Sequence, residues 1–237
     1  MKKVLFVAIA LLSFTIGASA QTLGFSANEE IMSKYIWRGM FPGNFTGPVA
    51  PGGSTDVGLN FTSADENFYM ETYFWTYHSM SAGDWHYSEY QYTIYTEFHG
   101  VHLELNHYFG DMGEIGIGYT IPGPVPASLT LYTSLWGDDY DMSVNTVKRM
   151  YSNYLELAVP YTLEDWDFKL TLGAVPHRSY YYDNVDGGFA VSNMMLESCY
   201  TYELSDILSL PIKIGGGYSP LYKEPLYYVS VGLSVNL

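Results

Sequence analysis

Asp56, Glu71, Glu89, Glu97, Glu104, Glu156, Asp167, Glu197 and Glu203 each fall on the polar side of a segment that alternates apolar and polar residues. Only Arg38, Lys169 and Lys213 fall there with them, so nine carboxylates stand against three cations. If the segments close on one another, these groups share one interior, and two kinds of chemistry are open. Rings of carboxylates favour cations, which gives a cation-leaning or neutral-solute passage. In the alternative, the carboxylates pair with Arg38, Lys169 and Lys213 and bond to tyrosine hydroxyls, because buried charges need partners. Arg38 is the first residue to test, as a fixed guanidinium fork among carboxylates.

Other chemistry finds less support. The histidines at 78, 86, 99, 102, 107 and 177 show no metal spacing of the His-Glu-x-x-His kind. His102 falls on the polar side of its segment and His107 on the apolar side, so the pair does not converge. A hydrolase at a barrel rim needs Ser, His and an orienting group. Ser79 and His78 are neighbours, and strand neighbours point to opposite faces. Gly215-Gly216-Gly217 has neither the lysine nor the helix of a phosphate loop; its glycines suit strand curvature and a crowded interior. Cys199, the single cysteine, excludes an intramolecular disulfide and disfavours a cysteine zinc site. The expectation is a protein that is not an enzyme and uses no metal or cofactor.

Those residues must be positioned by strands. Period-2 alternation recurs from about residue 55 to the end, and helical periodicity is nearly absent. In 89–98, Tyr90, Tyr92, Ile94, Thr96 and Phe98 alternate with Glu89, Gln91, Thr93, Tyr95 and Glu97. Runs of this kind last about ten residues, the length of a tilted strand crossing a bilayer. The pattern predicts twelve strands, near 24–39, 55–62, 67–78, 87–98, 101–109, 114–121, 127–135, 149–161, 165–175, 190–203, 210–218 and 226–237. Connectors alternate between short turns and longer loops, as in an even-stranded barrel. The connector 110–113 breaks this, being short where a long one is due. Ten or fourteen strands stay open.

The outer loops carry Asp84, Asp111, Glu114, Asp138, Asp139, Asp141, Asp183, Asp186 and Glu224. A solvated acidic surface is the simpler reading, since no Asp-x-Asp-x-Asp-Gly loop is present. Divalent cations bridging these loops to lipopolysaccharide phosphates is the sharper one.

Composition agrees. Charged residues are 15% of the 237, against about 25% in ordinary soluble proteins, while aromatics reach 17% with 24 Tyr. Met1-Lys2-Lys3, the apolar run 4–16 and Ala18-Ser19-Ala20 read as a signal peptide cleaved after Ala20, leaving one barrel domain over 21–237. Removing Lys2 and Lys3 from 10 Lys+Arg leaves 8 against 25 Asp+Glu, or −17. Such a balance excludes binding to the nucleic-acid backbone.

A soluble sandwich also alternates, but it turns its polar face to bulk water and fills it with lysine and glutamate. Here that face holds Tyr, Gly, Ser, Asn and Glu, which suit a narrow lumen. Aromatics cluster at the ends of apolar stretches (Tyr35 and Trp37; Phe74, Trp75 and Tyr77; Tyr227 and Tyr228), as interfacial girdles require. The final segment alternates up to Leu237, as in strands that close a barrel on its first strand.

The segment Ser33-Lys34-Tyr35-Ile36-Trp37-Arg38-Gly39-Met40 resembles the S-x-Y-x-x-R-G signature of the TorF-type porin family (Gcw_chp). Tyr90-Gln91-Tyr92, Tyr154-Leu155-Glu156-Leu157, Ile214-Gly215-Gly216-Gly217-Tyr218 and Val231-Gly232-Leu233-Ser234 follow in matching order. Trp37 before the arginine and a Pro/Gly-rich insertion over 42–53 depart from the family. The resemblance implies an outer-membrane barrel with a porin role and supplies no site residues.

The resulting expectation is an all-β, transmembrane antiparallel up-and-down β-barrel of about 12 strands in the bacterial outer membrane. It would act as a narrow pore for small solutes or cations. Its candidate lumen residues are Arg38, Glu71, Glu89, Glu97, Glu104, Glu156, Lys169, Glu197 and Lys213. Its expected partners are outer-membrane lipid and lipopolysaccharide, and the barrel-assembly machinery through the C-terminal strand. A non-conducting structural or adhesion barrel is the alternative, and a soluble secreted β-protein the third reading.

Overall fold

The computed structural model describes residues 22–41, 51–80, 87–141 and 148–237. The leader and its cleavage after Ala20, the stretch 42–50 of the Pro/Gly-rich insertion, Asp84 and His86 lie outside the described residues.

Twelve strands form one closed antiparallel barrel: β1 (Thr22–Met32), β2 (Gly52–Thr62), β3 (Phe68–Ser79), β4 (Ser88–Phe98), β5 (Val101–Tyr108), β6 (Met112–Ile121), β7 (Ala127–Gly137), β8 (Asn153–Leu163), β9 (Trp166–Val175), β10 (Ala190–Ser205), β11 (Leu208–Ser219) and β12 (Glu224–Asn236). Each strand pairs with its sequence neighbours, and β1 closes on β12 with Ile31 opposite Val231. Closure leaves no edge strand, so every strand has a hydrogen-bonded neighbour on both sides.

The alternation decides which side faces out. Leu59, Leu103, Leu129, Leu170, Leu196 and Val231 are all exposed on the outer surface. Exposed Tyr119, Tyr161, Trp166 and Tyr202 gather near the end where β1 begins and β12 finishes, called here the terminal end. Exposed Tyr90, Trp136, Tyr218 and Tyr227 gather at the opposite loop end. An apolar belt between two aromatic girdles is stable only in an apolar medium, so this is a transmembrane barrel.

Two prolines lie inside strands where a ladder lapses. Pro160 on β8 lies beyond the last β7–β8 pair, Ser128 with Ala158, and Pro211 on β11 falls where the β11–β12 register is interrupted. Neither site needs the N–H that proline lacks.

Two expectations are corrected. β1 ends at Met32, so 33–39 is not strand, and Arg38 leaves the barrel wall altogether. β6 begins at Met112, so Glu114 is on a strand rather than in an outer loop. The short connector that seemed to break the pattern is real. Residues 109–111 join β5 to β6 in a tight turn, with Gly110 at φ 83°.

Candidate functional site: the lumen and its inward hairpin

The chain that follows β1 turns into the barrel. Ser33 stays on the wall, its N–H donating to Val229 O (2.8 Å) and its Oγ accepting from Val229 N (2.9 Å). The next residues leave the sheet and reverse at Arg38-Gly39, where Trp37 and Met40 exchange both backbone hydrogen bonds at 2.9 Å. Both central residues have positive φ, 49° for Arg38 and 86° for Gly39, as a two-residue type I′ hairpin demands. Gly39 is also required by space, because a Cβ there would lie 2.5 Å from Ser192 O on β10. The tip therefore crosses the lumen from β1 to β10.

Arg38 anchors this hairpin. Its Nη1 donates to Glu114 Oε2 (2.7 Å) and its Nη2 to Glu114 Oε1 (2.5 Å), a two-pronged fork, and Nη1 also donates to Tyr182 Oη (2.5 Å). Both side chains are buried, at 7% and 1% exposure. The guanidinium lies over the rings of Tyr132 (4.2 Å), Tyr154 (4.6 Å) and Trp37 (4.7 Å), which exclude water from the pair. Glu114 further accepts from Asn106 Nδ2 (3.1 Å) and Tyr108 Oη (3.2 Å). Asn106 Nδ2 and Tyr132 Oη both donate to Glu104 (2.7 and 3.0 Å), which joins that carboxylate to the cluster. A buried ion pair is stable only when its remaining donors and acceptors are satisfied, as they are here.

The loop between β9 and β10 meets the hairpin from the other side. Tyr182 stacks between Trp37 (5.8 Å, 14°) and Tyr154 (5.9 Å, 27°) and is held by Tyr222, whose hydroxyl donates to Tyr182 O. Asp139, expected in a solvated loop, is fully buried and accepts from Ser152 N (2.7 Å) and Ser152 Oγ (2.6 Å). Its role is to fasten the β7–β8 connection. Asp111 stays in the turn after β5 and accepts from Tyr181 Oη (2.6 Å); burial pushes its carboxyl above the usual range.

The other carboxylates are held differently. Tyr69 donates to Glu71 (3.0 Å), Tyr87 to Glu89, Tyr95 to Glu97 (2.6 Å) and Tyr154 to Glu156 (3.4 Å), each across two residues of one strand or its start. Residues i and i+2 share a strand face, so a phenol reaches the next inward carboxylate and satisfies it without a cation. Glu89 takes a second bond from Tyr35 of the hairpin (3.1 Å).

Lys213 pairs with Glu30 at 2.9 Å, a partner the alternation alone did not single out. Lys169 has no ion-pair partner among the described residues and lines a cavity of about 230 Å³ with Asp167, Glu197, Cys199 and Lys213. A second cavity, of about 300 Å³, lies beneath the hairpin and also has Glu197 and Lys213 in its wall. The candidates thus divide. Arg38 and Glu104 join the buried cluster, Glu197, Lys169 and Lys213 frame the open space, and Glu71 and Glu97 sit on β3 and β4 toward the terminal end.

No family model and no curated protein matches the chain. Among solved structures it is similar to an outer membrane channel from Pseudomonas putida F1, at 10% identity over 94% of this chain and 97% of that one, with TM-score 0.47. OmpF from Salmonella typhi, in complex with daunomycin, shares 10% identity over 92% and 97%, at 0.38. The β domain of the Bordetella autotransporter BrkA shares 11% over 92% and 100%, at 0.39. The likeness at these identities is one of fold.

Proposed function

We propose that the protein is an outer-membrane channel passing small solutes or cations through a narrow, acidic, tyrosine-lined lumen, with the hairpin 33–41 setting its width at the loop end. One observation carries the reading. The cavities of about 300 and 230 Å³ share Glu197 and Lys213, so open space adjoins open space from beneath the hairpin along β10 and β11 toward the terminal end. A lumen kept for structure alone would close around its charges, as the Arg38 side of this barrel does. In this reading the loop end faces outward to lipopolysaccharide, and the chain belongs with the TorF-type porins. The assembly machinery would recognise β12.

A planar-bilayer recording of detergent-folded protein tests the proposal. Discrete conductance steps with cation preference are expected. Silence from protein that shows heat-modifiable gel migration would overturn it. A second reading, a non-conducting barrel acting through its loops, is favoured by the density of packing around Arg38 and Tyr182. It predicts a silent wild type.

A further inference from the structure

We propose that the 300 Å³ cavity is a binding site for a small neutral sugar, a mono- or disaccharide; as a transport site it rests on the channel reading, but as a binding site it stands alone. The cavity is of small-ligand size. Its walls offer two unlike surfaces.

One surface is aromatic. Trp75, Tyr73 and Tyr35 line it, with the Tyr35 and Trp75 rings 5.2 Å apart and Tyr77 stacked behind Tyr35 at 4.9 Å. Tyr228 contributes a fourth ring from β12. It is accommodated because β11 has glycine opposite: a Cβ on Gly215 would come within 2.2 Å of the Tyr228 ring. The other surface is polar and of both signs. Glu197 and Glu30 only accept, Lys213 only donates, and Gln91, whose amide N–H groups go to Thr93 and Asn106, accepts at its oxygen.

Sugar chemistry needs this combination. The C–H face of a pyranose is apolar and lies flat on aromatic rings, while its hydroxyl rim both donates and accepts. Charge points the same way. Glu30 pairs with Lys213 at 2.9 Å, so the lining offers no unpaired cation to draw an anion. Lys34 lines the cavity with its stem alone, its ammonium lying over the exposed Tyr227 ring, 3.4 Å from the centroid.

The full-length protein, folded in detergent, is titrated calorimetrically with methyl glucoside and with sucrose, against glycerol and choline chloride. Saturable binding of at least one sugar is expected, with none of glycerol or choline. Trp75→Ala should weaken the sugar tenfold or more, Trp75→Phe much less, and Glu197→Gln severalfold. Should Trp75→Ala lose heat-modifiable migration, the Phe and Gln variants still decide. Failure of both sugars to saturate, an affinity unmoved by Trp75→Ala and Glu197→Gln, or saturable choline binding overturns the proposal. Bilayer current separates the two readings. A conducting protein that binds neither sugar loses the sugar site and keeps the channel, whereas a sugar-binding protein that never conducts loses the channel alone.

Discussion

The guanidinium of Arg38 and the carboxylate of Glu114 meet at 2.5 Å inside the barrel, although one belongs to the turn after β1 and the other to β6. Their meeting fixes the hairpin across the lumen. Removing one partner leaves the other buried and unpaired, which costs about 3–5 kcal/mol. Arg38→Met and Glu114→Gln should each release the hairpin while the barrel stays closed. Larger conductance steps, together with new protease cleavage within 33–41, are the expected readout. The Arg38→Met/Glu114→Met double variant should recover part of the loss. Unchanged conductance and cleavage in both single variants would show that the pair does not hold the hairpin.

Gly39 supplies an independent handle on the same element. Its φ of 86° and the 2.5 Å approach of a Cβ to Ser192 O make Gly39→Ala strained on two counts, about 1–3 kcal/mol for the backbone alone. The same substitution at Gly216, where a Cβ would meet no atom within 4 Å, is the control. Urea midpoints followed by gel migration should fall for the first and hold for the second.

Selectivity should follow the inward carboxylates. Glu97→Gln and Glu197→Gln each delete one lumenal negative charge, which carboxylate rings use to favour cations. The reversal potential in a salt gradient should move toward zero in each, further in the double variant. A fixed potential would remove these residues from the conducting path.

Two carboxyls outside the strands respond to acid in opposite senses. Asp65, in the turn between β2 and β3, accepts from Ser63 Oγ (2.6 Å) and Asn67 Nδ2 (2.9 Å), first among the causes that hold its carboxyl down to about 2. Its folded value lies below its unfolded one, so its contribution is present above about pH 4 and is lost as pH falls toward 2. Asp111 is pushed up by burial, so its ionisation costs stability as pH rises through its range, and acid relieves that cost. Asp65→Asn should flatten the acid limb of the stability curve, and Asp111→Asn should raise stability at pH 7 relative to pH 4. Equal pH profiles for wild type and both variants would refute the assignments.

The wall of the barrel was legible in the sequence because a period of two needs only the chain itself. Tyr90 to Phe98 against Glu89 to Glu97 already separates lipid from lumen. What fills the lumen was not. Alternation through Tyr35, Trp37 and Gly39 imitates a strand, and only the two positive-φ residues of the turn reveal a hairpin. The S-x-Y-x-x-R-G residues were visible, but not their tasks: Ser33 on Val229, Tyr35 on Glu89, Arg38 on Glu114, Gly39 against Ser192. Glu114 was hidden because it stood at the first position of the expected strand 114–121 and was grouped with the loop acids, whereas β6 begins two residues earlier, at Met112. Asn106 and Tyr108, two and four residues past Glu104 on the same face, were the available signal that the polar wall continued.

The tyrosine–carboxylate pairs bear on how such a lumen is made. Arg38 finds Glu114 across 76 positions and Tyr182 across 144, so those bonds await the assembled cylinder. Tyr69–Glu71 and Tyr95–Glu97 span two positions and form as soon as their strand is extended. β3 and β4 thus each bring a hydrogen-bond donor for a carboxylate of their own. Such a pair lowers the cost of burying its carboxylate with no contribution from the opposite wall.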